Sequence, residues 1–261
     1  TFENEMLSPS SSWLPSRSQS IIKKLSTPML MKLARIEGNL PIIIGGTKDT
    51  SLLTIDASAI DGTLNIITGK KGCGKSHLSK LLMVNLVGYK ATVVIFDLNG
   101  EYSSLGMTSD GKRNIYHDKI HTLTPSQNFK VALDQLPLNT VMGILVNALH
   151  LPGTSAREFR RLWKNLKEGG KLNMQELGEA IRDLNCNQHV RDALASRFHS
   201  FVNSGFFTDC IGEATLLDET FFKAKDQGGA IVINLKNTSN IDRQIVVEYV
   251  LGKLVDSLSN W

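Results

Sequence analysis

The period of the apolar positions changes several times along the chain, and each change marks an element. Residues 64–68, Leu-Asn-Ile-Ile-Thr, form a short apolar run, and after a glycine-rich interruption Leu78, Leu81, Leu82 and Leu86 recur at helical spacing. This predicts a strand over 64–68 and an amphipathic helix over 75–87. Residues 92–96, Thr-Val-Val-Ile-Phe, and 230–235, Ala-Ile-Val-Ile-Asn-Leu, stay apolar on both alternations, as strands covered on both faces do. Two strands joined by a helical crossover make a βαβ unit, which implies a parallel sheet, so the predicted fold class is α/β. Residues 40–44 and 51–55, separated by Gly45-Gly46 and Lys48-Asp49, predict an edge hairpin leading into that core.

Between 133 and 223 the texture becomes helices without strands, read as a helical subdomain inserted between two sheet strands. Its clearest member runs over 155–166. Phe159, Leu162, Trp163 and Leu166 form one apolar stripe, and Arg157, Arg160, Arg161, Lys164, Lys167 and Lys171 form a basic ridge opposite. Further amphipathic helices are predicted over 189–202, ending at Gly205, and over 241–258. At the N-terminus, Ile22, Leu25, Met29, Leu33 and Ile36 predict a helix over 21–36 that Pro28 interrupts, while the Ser/Pro-rich residues 1–20 offer little apolar surface to bury. The organisation expected is therefore a tail or linker (1–20), a helix and short edge strands (21–60), the first part of the core (61–132), the helical insertion (133–223) and the core continuation (224–261).

Composition changes this picture little. The 261 residues are 41% hydrophobic and 21% charged, with 29 basic against 25 acidic residues and a net charge of +4, a bias too mild to require or exclude nucleic acid. Cys73, Cys186 and Cys210 are an odd number without C-x-x-C spacing, which argues against a disulfide frame or zinc site and for a reducing, cytoplasmic setting. The apolar runs, such as 140–151, are too short to cross a bilayer, so no membrane association is expected. Because the chain begins at Thr1 rather than Met, both ends are read as fragment boundaries.

The chemistry sits between the strand of 64–68 and the helix after it. Gly69 and Gly74-Lys75-Ser76 satisfy G-x-x-x-x-G-K-[ST], a phosphate-binding loop. A triphosphate has to be wrapped by backbone N–H groups at a helix N-terminus, where a Cβ at Gly72 or Gly74 would obstruct it. The nucleotide-binding residues expected are Gly69, Lys70, Lys71, Gly72, Cys73, Gly74, Lys75, Ser76 and His77. Lys75 would reach the β- and γ-phosphates of ATP, and the Ser76 hydroxyl would ligate Mg²⁺.

The strand over 92–96 runs into Asp97-Leu98-Asn99-Gly100-Glu101-Tyr102, and here the chain resembles the HerA/FtsK branch of P-loop ATPases, in particular HerA-like proteins, which carry a strand-end D-x-[HN]-G-E-Y segment. Asp97, Gly100, Glu101 and Tyr102 match that segment, and Asn99 stands where histidine is commoner. The resemblance implies a RecA-like core forming a hexameric ring of identical subunits. It also implies ATP hydrolysis between subunits, helicase-like translocation on double-stranded DNA, and a nuclease or defence partner. Carboxylates at strand ends of an open α/β sheet can hold metal-bound water, which makes Asp97 and Glu101 candidate catalytic residues beside the loop's Lys75, and Asp97 a candidate metal ligand. The simpler reading makes Asp97 a turn former and Glu101 the start of a helix. The ridge residues Arg157, Arg160, Arg161 and Lys164 are candidate nucleic-acid contacts, since sequence-independent binding needs little beyond several cations on one face.

Two rivals stand beside this reading. One is a module that assembles around a partner when nucleotide binds, with incidental turnover. The other is a small-molecule kinase or GTPase, against which the chain shows neither an N-K-x-D segment nor an arginine-rich lid. The resemblance further implies that the Walker B strand follows the helix over 241–258 and that the arginine finger lies beyond it. The late strand 230–235 carries Asn234 where a metal-linked carboxylate is wanted. The expectation is therefore a chain that binds ATP weakly and hydrolyses it negligibly by itself.

Overall fold

The computed structural model describes residues 38–48 and 50–259, and before them Phe2, Glu3, Met6, Leu7, Ser26 and Met29. The expected tail over 1–20 and helix over 21–36 thus fall almost wholly outside the described residues. Of them, Phe2–Glu3 pairs antiparallel with Met6–Leu7. The chain divides into two units, Thr1–Tyr89 and Lys90–Trp261.

In the first unit, β1 (Pro41–Gly46) and β2 (Leu52–Asp56) pair antiparallel from Pro41↔Asp56 to Gly46↔Leu52, with a bulge between Ile43 and Gly45. Ile42 and Ala57 bury against Leu82 of α1 (Lys75–Gly88), with Ile44, Ile55, Leu78, Leu81 and Leu86 around them. The leucines that predict the helix are the ones that seat it on the hairpin. The Tyr89 hydroxyl closes the far end by donating to the Pro41 carbonyl (2.7 Å).

The strand expected over 64–68 does not form. Residues 64–70 are irregular, with Leu64 89% and Ile66 73% exposed, and no partner pairs with them among the described residues. The Asn65 amide explains part of this, because it donates to the Ile60 and Thr63 carbonyls (2.9 and 3.1 Å) and ties the run into a local knot that competes with a ladder.

The second unit holds a three-stranded parallel sheet of β3 (Thr92–Asp97), β4 (Ile120–Leu123) and β7 (Gly229–Asn234), ordered β3-β7-β4. The α/β class with a parallel sheet is borne out. The register runs from Thr92↔Gly229 to Asp97↔Asn234 on one side of β7, and from Ile120↔Ala230 to Leu123↔Ile233 on the other. Ile231, Val232 and Ile233 are 0% exposed, and each contributes about 1.5–3 kcal/mol by leaving water. β4 went unpredicted, since Ile-His-Thr-Leu is four residues long with two polar members.

Between β4 and β7 lie, among the described residues, five α-helices, a π-helical turn and a short 3-10 turn (Ile211–Glu213). α2 (Leu138–Gly143) runs into a π-helical turn (Ile144–Ala148) and is followed by α3 (Gly153–Glu168), α4 (Met174–Arg182), α5 (Gln188–Asn203) and α6 (Leu217–Gln227). The last helix, α7 (Asn240–Ser259), comes after β7. Asn173 and Asn187 cap α4 and α5 by accepting from Glu176 N and His189 N, and α5 is followed by Gly205 at φ 63°. The insertion is not wholly free of strands. β5 (Val131–Ala132) pairs with β6 (Phe207–Thr208), a two-residue ladder too short for any periodicity to reveal. Its Phe207 stacks on Phe201 (3.7 Å between centroids), while Phe206 packs edge-on against Phe129 and Tyr249 (4.9 and 5.5 Å).

Candidate functional site

The glycine loop forms the N-terminal approach to α1. Gly72 and Gly74 adopt φ 81° and 93°, a region only glycine enters cheaply, and Gly74 is the helix's first flanking residue. Having no side chain, Gly74 supplies no cap, and the first turn contains no acidic residue. The amides there are therefore free to meet an anion together with the positive end of the helix dipole. At Gly69 an added Cβ would lie 2.5 Å from the Cys73 Sγ, so the thiol would have to swing aside to admit it.

Lys75 Nζ crosses the loop and donates to the Lys70 carbonyl (2.8 Å), which also accepts the Cys73 N–H (3.3 Å). Gly69, Lys70, Lys71, Gly72, Cys73, Gly74 and His77 are exposed, and Lys75 and Ser76 are half-buried. Thr68, Cys73, Gly74, Lys75 and His77 line a depression of about 320 Å³ whose apolar wall is Ile44, Leu78 and Leu81. A lysine, open helix amides and a glycine concavity without a carboxylate fit a nucleotide's phosphates. Among the described residues no cluster of three or more His, Cys, Asp or Glu could cage a metal. A magnesium ion here would be held by Ser76 and mainly by the phosphates, the usual arrangement for that ion.

An exposed thiol inside the loop gives a direct test of where phosphate sits. Alkylation of Cys73 should prevent nucleotide binding, and nucleotide at about 100 Kd should slow the labelling about a hundredfold. Mass spectrometry of the loop peptide with and without ATP reads this out, and equal labelling in both states would remove the phosphates from this loop.

In the second unit the D-x-N-G-E-Y segment is a closed turn at the carboxyl end of β3. Asp97 is 2% exposed. Its Oδ1 accepts the N–H groups of Asn99 (3.3 Å), Gly100 (2.8 Å) and Glu101 (3.0 Å), and its Oδ2 accepts that of Tyr102 (2.8 Å). With four amides aimed at its two oxygens, this carboxylate presents little to a metal ion. This is the geometry of a turn former, and the Asx signature Asp-Leu-Asn-Gly was the signal for it. Gly100 turns at φ 73°, and a Cβ there would strike Lys236 Cδ at 2.6 Å. Glu101 starts no helix. It is half-buried, and the Asn99 amide donates weakly to its Oε1 (3.4 Å). That leaves a carboxylate just past the carboxyl end of β3, with the side chain of Lys236 packed close to the neighbouring Gly100.

Arg157, Arg160, Arg161 and Lys164 are exposed along one face of α3, with Trp163 (1% exposed) on the opposite, buried side against Phe159. One feature escaped the sequence. A polar cavity of about 330 Å³ lies past the carboxyl ends of β4 and β7, lined by Ser126, Gln127, Ser204, Asn234, Lys236, Asn237 and Thr238. Ser126 and Asn237 there adopt φ 65° and 66°, conformations non-glycine residues avoid and no local pattern announces.

Comparison with known proteins brings the two motifs under one heading. The family described as Helicase HerA, central domain, matches residues 47–254. No curated protein matches the chain. Among solved structures the chain is similar to the structure of VirB4 of Thermoanaerobacter pseudethanolicus, with 12% sequence identity and a TM-score of 0.38 over 82% of this chain and 83% of that one. No helix among the described residues is long and apolar enough to cross a membrane.

Proposed function

Because the chain belongs to the family of HerA helicase central domains, we propose that it is the ATP-binding core of a ring-forming ATPase that couples hydrolysis to movement along double-stranded DNA. The observation that carries this reading is the glycine loop, with Lys75, Ser76 and unoccupied helix amides on one small concavity. Family membership supports ATPase chemistry in general. The hexamer, the duplex DNA track, a nuclease or defence partner and a cytoplasmic setting are parts of the proposal.

ATP bound to this loop would supply the scissile phosphoanhydride, and a magnesium ion would shield its charge. The protein's share is to grip phosphates with the backbone of residues 69–77, to direct charge with Lys75, and to offer Ser76 to the ion. Glu101 is the carboxylate we assign to orienting water. Glu101→Gln should leave ATP affinity nearly unchanged while slowing turnover at least tenfold, about 1.4 kcal/mol in the barrier, in the assembly that hydrolyses ATP. Normal turnover by the variant would return Glu101 to a merely structural place.

The decisive experiment is ATP turnover with and without duplex DNA, run beside light scattering with and without nucleotide. A DNA motor should show turnover stimulated several-fold by duplex. Association driven by nucleotide, with turnover indifferent to DNA, would instead favour a module that assembles around a partner.

A further inference from the structure

We infer that the exposed face of α3 is a phosphate-tracking surface, through which this chain grips the backbone of double-stranded DNA without reading its sequence. The inference rests on the reading of the chain as a DNA-acting ATPase and adds the surface that does the gripping.

The first support is where the charge lies. Residues 157–171 contain six of the 29 basic residues and only two of the 25 acidic ones, which leaves 23 of each elsewhere. The whole net charge of +4 therefore resides in fifteen consecutive residues, and the remainder of the chain is balanced. A balanced protein with one cationic strip produces a directed field, whereas scattered lysines produce only solubility.

Geometry gives the second support. At 100° per residue Arg157, Arg160, Arg161, Lys164 and Lys167 fall within an arc of about 120°, and at 1.5 Å per residue they extend over about 15 Å of helix. Duplex DNA carries one charge per about 1.7 Å of axis, so a strip of that length faces enough phosphates for three or four contacts. Phe159 and Trp163, both 1% exposed, clamp the opposite face of α3 into the core and hold the strip rigid.

The cations are also poorly spent within the chain. Arg161 comes no nearer than 3.9 Å to Glu158, and Lys167 donates to the Asp134 carbonyl (3.0 Å). Among the described residues Arg157, Arg160 and Lys164 have no carboxylate partner. Glu168 stands at i+4 from Lys164 on the same face, yet among the described residues no ion pair joins the two.

The test is fluorescence anisotropy of a labelled mixed-sequence duplex titrated with the full chain across a salt series. Three proteins are compared: the parent, Arg157→Gln/Arg160→Gln/Lys164→Gln, and a control with the same charge loss, Lys48→Gln/Lys112→Gln/Lys223→Gln. The ridge variant should bind at least about tenfold more weakly than the control, and the slope of log K against log salt should flatten by about 2.7, or about 0.9 for each lost phosphate contact. Lys164→Gln alone, flattening it by about 0.9, keeps the test alive if the triple variant melts early. Equal weakening in the ridge and control proteins would overturn the inference while leaving the DNA reading intact. No duplex binding by the parent at low salt would overturn both. Displacement by poly-glutamate as readily as by unlabelled duplex would reassign the face to an acidic protein and overturn the DNA assignment.

Discussion

Lys75→Ala should fold like the parent chain and bind ATP roughly 30- to 150-fold more weakly, as expected when a charged hydrogen-bonding partner worth about 2–3 kcal/mol is removed. The fold should survive because the side chain's one recorded bond in the structure is an exposed one, from Nζ to the Lys70 carbonyl. Alanine also keeps the first turn of α1 helical, so thermal stability should move by no more than about 0.5 kcal/mol. Titration with a fluorescent nucleotide beside a melting curve measures both. A folded variant with parental affinity would sink the assignment of the loop.

The second large effect belongs to Asp97, and it is an effect on the fold. Truncation to alanine strips four backbone amides of their acceptor at a position 2% exposed, with a cost of about 3 kcal/mol or more. Asp97→Asn separates the two roles open to this residue. The amide keeps an oxygen for the three N–H groups that meet Oδ1 and turns a donor only toward Tyr102 N, so it should cost distinctly less than alanine. Were Asp97 chiefly a metal ligand, alanine and asparagine would abolish turnover alike, with stability nearly unchanged. Denaturant melts of the three proteins decide. Equal, parental stability in both variants would return the carboxylate to the metal.

Much of this was legible beforehand, for reasons that can be stated residue by residue. The glycine loop shows because phosphate binding tolerates few alternatives at Gly72, Gly74 and Lys75. β3 and β7 show because a strand covered on both faces has to be apolar throughout. The ridge on α3 shows because helical period separates Phe159 and Trp163 from the arginines. Reading 64–68 as a strand fails, since an apolar run declares only that it wants burial and the Asn65 side chain competes for its backbone. β4 and the β5–β6 pair are too short to carry a period. Asp97 was found as a strand-end carboxylate, and only the fold reveals its burial and the four amides it accepts. The polar cavity beside Ser126 and Asn237 is assembled from three distant stretches of chain, which no local window can anticipate.

The position of β7 governs the order in which the protein can be made. β3 and β4 each pair with β7 and not with one another. While the chain emerges from the ribosome, Thr92–Asp97 and Ile120–Leu123 therefore have no ladder until Gly229–Asn234 follows, after five intervening helices and the π-turn. Contacts so distant in sequence close late and slowly, and until they do two strand edges stay open to other chains. Helices close through contacts near in sequence, so the expected order is that the inserted helices organise first and serve as the template on which the sheet is closed. Pulse-labelled hydrogen exchange during refolding should find amides of α3 to α5 protected before those of β3, and the reverse order would show that the sheet needs no such template.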